Sequence, residues 1–191
     1  MTKNLDNKLK AIFISSAEQK VLDYLVSKDG YQEVKEIKRV TNLSKAGVHL
    51  ALKNLQALNL IVRDQKGKTY LYQARNYSFL IKQFKVFKTI IHFATLIKKL
   101  KPFSQKVVLF GSVSKGEDTE KSDFDFLIIS RNEDTVRKII EKFGDYKIQA
   151  IIKSPQEILA LQEKDIVFFR EADKGIVLWD KSLAEGEDYE F

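Results

Sequence analysis

The chain has 191 residues, 44% of them apolar and 31% charged, which suits a packed core and argues against global disorder. It contains no cysteine, which excludes a disulfide framework and any thiolate metal site. The net charge of +7 is unevenly spread: residues 1–100 carry +12 and residues 101–191 carry −5, so a basic module facing a polyanion is expected beside an acidic one. The N-terminal "MTKNLDNKLKAIFISS" has too short an apolar stretch for a signal peptide. The longest uncharged apolar stretch, "TIIHFATLI", is far below the roughly 18 residues that cross a bilayer. A cytoplasmic location is therefore expected.

In chain order, "SAEQKVLDYLVSKDG" reads as a helix with Val21, Leu22 and Leu25 on its apolar stripe and Gly30 as its stop. "QEVKEIKRV" reads as a second, shorter helix. After the turn "TNLS", Ser44 is a good N-cap for a third helix, "KAGVHLALKNLQALN", in which Val48, Leu52 and Leu55 recur at helical spacing. "LIVRDQKGKTYLYQA" then places two β-rich runs around Gln65-Lys66-Gly67-Lys68, a hairpin signal.

The order helix, helix, turn, helix, hairpin, with the pattern "LSKAGVHLALKNLQALNLIVRDQKGKTYLY", resembles a winged helix-turn-helix over about residues 15–73. That resemblance implies a third helix entering the DNA major groove and a wing touching backbone or minor groove. It points to Ser44, Lys45, His49 and Lys53 on the helix and Arg63, Lys66 and Lys68 on the wing as DNA-binding residues. The cations suit phosphate contacts, which position a protein without reading sequence. Leu50 stands where related helices often carry a polar reader, and Gly47 offers no side chain, so base-specific readout is expected to be thin. The competing reading of this module is a protein-interaction or dimerisation surface.

Residues 78–100, "SFLIKQFKVFKTIIHFATLIKKL", form a long helical segment ended by Pro102. Phe84, Phe87, Ile91 and Ala94 make one apolar stripe, and Val86, Ile90, Phe93 and Ile97 a second. A helix apolar over this much of its circumference needs more than one partner surface. It is expected to connect two modules or to serve, like the winged helix, as the contact of a homodimer.

The run "LFGSVSKGEDTEKSDFDFLIIS" carries the chemistry. Gly111-Ser112 follows the apolar strand "KVVLF", where a glycine lets backbone approach a ligand and a helix start at Ser112 offers N–H groups to an anion. Asp123 and Asp125 alternate with apolar residues in "DFDFLII" and so project to one face. Two such carboxylates repel unless a cation lies against them, and Mg²⁺ suits a few carboxylates plus phosphate oxygens and water. Gly111-Ser112, then Asp123-x-Asp125 with Ser122 before it, resembles the polymerase β superfamily of nucleotidyltransferases, in particular its minimal branch, over roughly residues 101–180.

The resemblance implies that Gly111, Ser112, Lys115 and Ser122 contact a nucleoside triphosphate and that Asp123 and Asp125 are catalytic residues holding Mg²⁺. It also implies a third carboxylate on a later strand. The strand "YKIQAIIKSP" offers Gln149 at that place, and Asp145 just before it is out of register. Gln149 coordinates weakly through its carbonyl and is no base at neutral pH. "SPQEILALQEKDIVFFREADKG" supplies one or two helices and "IVLWD" a closing or edge strand, with Trp179 in the core.

The expected fold class is α+β. Residues 1–77 are expected as a winged helix-turn-helix, 78–100 as a connecting helix, 101–182 as a nucleotidyltransferase-like domain with a small mixed sheet, and 183–191 as an acidic tail. Two functions compete. One is a transferase moving a nucleoside monophosphate onto an unknown acceptor. The other is a transcription regulator that binds double-stranded DNA and senses a nucleotide with little or no turnover.

Overall fold

The computed structural model describes residues 16–144, 146–164 and 166–184; of the acidic tail, residues 185–191 lie outside them. The chain is α+β and divides into two compact units. Among the described residues, the first comprises 16–91 with Gly116–Lys121, and the second His92–Lys115 with the described residues of 122–184. The division falls within the long helix rather than at either of its ends.

In the first unit, α1 (Ala17–Val26) begins at a capping box, in which the Ser16 hydroxyl accepts from the Gln19 amide and the Gln19 side chain accepts from the Ser16 amide. Gln32–Glu33 do not start the second helix, as the sequence suggested, but form a short strand, β1, antiparallel to β3. The Tyr24 hydroxyl donates to the Gln32 side chain and helps hold it there. Then come α2 (Val34–Thr41), α3 (Lys45–Ala57) and the hairpin β2 (Ile61–Lys66) and β3 (Thr69–Ala74). Strand β2 runs two residues further into the turn than expected, through Gln65 and Lys66, leaving Gly67 and Lys68 between the strands. Val21, Leu25, Ile37, Val48, Leu52, Leu55, Ile61 and Ile81 close the core of this unit.

Helix α4 spans Phe79–Leu100. Its two expected stripes are redistributed. Ile81, Val86, Ile91, Phe93, Leu96, Ile97 and Leu100 are buried, but Phe87 is exposed and Ile90 and Ala94 are only half-buried. The reason is electrostatic. Lys82, Lys85 and Lys88 turn toward Glu117, Asp118 and Asp23, and Phe79, Leu80, Gln83 and Phe87 are left exposed.

The second unit is built on a four-stranded mixed sheet in the order β6-β5-β4-β7. Strand β4 (Lys106–Phe110) pairs antiparallel with β5 (Phe124–Ile129) and with β7 (Ile176–Asp180). Strand β6 (Ile148–Lys153) joins β5 in parallel, which requires a crossover. That crossover is a helix, here called α6 (Glu133–Glu141), which the sequence reading passed over; its buried Val136 and half-buried Ile139 and Ile140 lie on the sheet. One face of the sheet packs Phe126 and Ile128 against Phe93, Leu96 and Val136. The other packs Val108 and Leu127 against Ile158 of α7 (Pro155–Lys164) and Ala172 of α8 (Ile166–Asp173). Trp179 is half-buried and donates to the Ser104 carbonyl at 3.1 Å. His92 meets Phe93 and Tyr146 edge-on. A one-turn helix, Lys181–Ala184, follows β7.

Candidate functional site

The carboxyl end of β4 and the start of β5 bring the motif together. Phe110, the last residue of β4, pairs with Asp125, and Asp125 pairs in turn with Gln149 of β6. Three adjacent strands therefore present neighbouring positions at one edge of the sheet. Gly111 leaves β4 with φ of 72° and opens a one-turn helix, α5 (Gly111–Ser114). A Cβ added at Gly111 would overlap the Asp125 carboxylate, so both its backbone conformation and its close approach demand glycine. Helix α5 is a single turn, much shorter than a helix with an appreciable dipole.

Asp123, immediately before β5, and Asp125 are both half-buried. Burial pushes the Asp125 carboxyl above its ordinary range, and the charge of Asp123 pushes it further. Gln149 Nε2 donates to Asp123 Oδ2 at 2.6 Å, so the amide fills the side of the acidic pair where the resemblance calls for a third acid. Among the described residues no group of three or more His, Cys, Asp or Glu is placed to hold a metal, and Asp145 lies outside them. The donor set among the described residues thus fits one divalent cation held by Asp123 and Asp125 with oxygens supplied by a ligand.

Ser112 lies half-buried in α5, its carbonyl accepting from the Lys115 amide, and Ser122 is half-buried just before Asp123. Lys115 is exposed and paired with Glu171 of α8 at 2.9 Å, a partner the sequence reading missed because 56 positions separate the two. Hydrogen bonds from Lys115 and then Lys174 hold the Glu171 carboxyl below its ordinary range.

The segment Gly116–Lys121, between Lys115 and Ser122, belongs to the first unit. Gly116, at φ of 67°, lies so close to the Lys82 carbonyl that a Cβ would overlap it. Lys82 pairs with Glu117, Lys28 with Glu120, and the nearly buried Lys85 with Asp118 at 3.2 Å. The Asp29 and Glu120 backbone amides each donate to the other residue's carboxylate. Lys82 and Lys85 of α4 and Lys28, just after α1, thereby hold the segment Gly116–Lys121 within the first unit.

On the basic unit, Lys45, His49 and Lys53 recur every fourth residue and are exposed along α3. Ser44 is engaged as the cap of that helix, accepting from the Gly47 amide at 3.0 Å. Arg63 lies over the Tyr70 ring at 4.6 Å, and Lys66 and Lys68 are exposed at the hairpin end.

Residues 90–177 match the model of the nucleotidyltransferase domain family, a span that contains every member of the Gly-Ser/Asp-x-Asp motif and Gln149. No curated protein matches the chain. Among solved structures, that of TrmBL2, an archaeal chromatin protein described as showing a novel mode of DNA binding, is similar over 88% of this chain and 77% of its own. The identity is 15% and the TM-score 0.32, a likeness too distant to carry an argument. Among the described residues no helix is long and apolar enough to cross a membrane.

Proposed function

We propose that the second unit binds a nucleoside triphosphate together with Mg²⁺, that the first is a winged helix binding duplex DNA, and that nucleotidyl transfer is weak or absent. The observation that carries the reading is the Asp123–Asp125 pair beside Gly111, with Gln149 hydrogen-bonded to Asp123. Gly111 and Ser112 bring backbone against the phosphates, Ser122 and Lys115 flank them, and Asp123 and Asp125 hold the cation. Lys115 takes part only by leaving Glu171. Bound there, Mg²⁺ supplies neutralisation of phosphate charge.

Transfer would require an acceptor hydroxyl to attack the α-phosphorus, lose its proton to a base, and expel pyrophosphate with the bonding electron pair. Gln149 cannot take that proton, and it adds no charge to the ligand set. Binding without efficient turnover follows, which favours a nucleotide-responsive regulator over a dedicated enzyme.

Titration calorimetry with each nucleoside triphosphate and Mg²⁺ tests the site. The double variant Asp123→Asn, Asp125→Asn should lose metal-dependent affinity while keeping its fold, and unchanged binding in it would refute the assignment. DNA binding is supported by the +12 charge of residues 1–100 and by the exposed cations on α3 and the hairpin. Affinity should fall with salt at a log–log slope of about −0.9 per phosphate contacted. Absence of binding at low salt would leave the first unit a protein-interaction module.

A further inference from the structure

Helix α4 is inverted relative to an ordinary surface helix. Its Lys82, Lys85 and Lys88 are spent on ion pairs with Glu117, Asp118 and Asp23, and between Phe79 and Ile90 the arc left outside carries no charge. At 3.6 residues per turn, Phe79, Leu80, Gln83, Phe87 and Ile90 fall within about 100° of the circumference. None of the five is charged. Phe79 is 72% exposed, Leu80 63% and Phe87 39%, and Tyr77, just before the helix, is 97% exposed. A solvent-facing helix surface of this composition marks an interaction site.

We propose that this face is the two-fold contact of a homodimer. Its pattern is self-complementary. Leu80 and Phe87 are equidistant from a point between Gln83 and Phe84, so an antiparallel two-fold pairing sets Leu80 of each copy against Phe87 of the other. The same axis sets Gln83 against its own copy, where each amide offers both a donor and an acceptor. Area is compatible. At about 200 Å² for a large side chain, the exposed fractions of Phe79, Leu80 and Phe87 amount to roughly 350 Å², more than two-fifths of the about 800 Å² that each partner gives a standard interface. A lipid surface is a poorer occupant, because interfacial helices flank their apolar face with free cations, and here the flanking lysines are paired within the protein.

The test is sedimentation equilibrium of the full chain. The unmodified protein should be a dimer, and Leu80→Glu or Phe87→Glu should weaken association at least about a hundredfold by setting a charge in an apolar contact. Circular dichroism checks that these exposed positions leave the fold intact. Because the chain has no cysteine, a single Gln83→Cys offers an independent measurement. Under mild oxidation it should cross-link at dimer mass, while Lys66→Cys on the hairpin should not. A chain that stays monomeric to about 100 µM, where even weak interfaces assemble, overturns the proposal. So does a dimer indifferent to both glutamates, or equal cross-linking at positions 83 and 66.

Discussion

Gln149→Glu restores the carboxylate that the superfamily resemblance calls for, and its effects separate binding from turnover. Without metal it removes the 2.6 Å hydrogen bond from Gln149 Nε2 to Asp123 Oδ2. A hydrogen bond to a charged acceptor is worth about 1.5–3 kcal/mol, and exposure of Gln149 places this one at the lower end. The new carboxylate also faces Asp123, a like-charge repulsion of about 1 kcal/mol at ~4 Å in water. The sum is a loss of about 2–3 kcal/mol, or roughly 5–10 °C in melting temperature for a chain of this length. With Mg²⁺ present the loss is largely offset, because three carboxylates hold the ion better than two. Saturation to a hundred times the dissociation constant returns about 2.7 kcal/mol. Melting curves with and without Mg²⁺ measure both effects, and pyrophosphate release measures any gain in transfer. If the variant melts no lower without metal and responds to Mg²⁺ no more than the unmodified protein, Gln149 does not occupy a metal-site position. Robust turnover by the unmodified chain would refute the argument from the other side.

Asp125→Asn should stabilise the apo protein at neutral pH. A carboxyl whose folded pKa lies above its ordinary 3.8 binds its proton more tightly in the native state, so native stability is lost as pH climbs from 3.8 through the raised value. The gain from asparagine should therefore vanish in acid; a melting difference independent of pH would show that burial beside Asp123 is not its cause. Gly111→Ala forces a left-handed residue at about 1–2 kcal/mol and drives a methyl group into the Asp125 carboxylate, so Mg–nucleotide affinity should fall at least about tenfold by calorimetry. Lys85→Met leaves Asp118 without its cation and should cost about 2–4 kcal/mol in denaturant unfolding; a loss under about 1 kcal/mol would mean that water already screens the pair.

Periodicity made much of the architecture legible. Val48, Leu52 and Leu55 predicted α3, and the Gly67 turn predicted the hairpin, because each signal is local and each element needs it to form. What escaped depends on partners remote in the chain. Gln32–Glu33 have helix-compatible side chains, yet a free strand edge on β3 recruits their backbone. The lysines of α4 look like solvated charges in sequence, and nothing local says that Glu117, Asp118 and Asp23 will turn them inward. Phe87 therefore read as core. The Glu171 partner of Lys115 escaped for the same reason, being unforeseeable from the motif.

The position of Gln149 was legible for a different reason. Its level in the sheet is set by two registers, Phe110 with Asp125 and Asp125 with Gln149. Each is fixed by apolar runs that must put Val108 and Leu127 on one face and Phe126 and Ile128 on the other. A slip of one residue would turn every one of these side chains over, so hydrophobic burial dictates which residue of β6 stands beside Asp125. Chemistry then enters as a constraint on an already determined place. Glutamine there donates a hydrogen bond to one carboxylate of the acidic pair, and in the proposed reading it does so at the expense of the charge that a second catalytic ion would need. That exchange is the one expected if, as proposed, the second unit binds a nucleotide without efficient turnover.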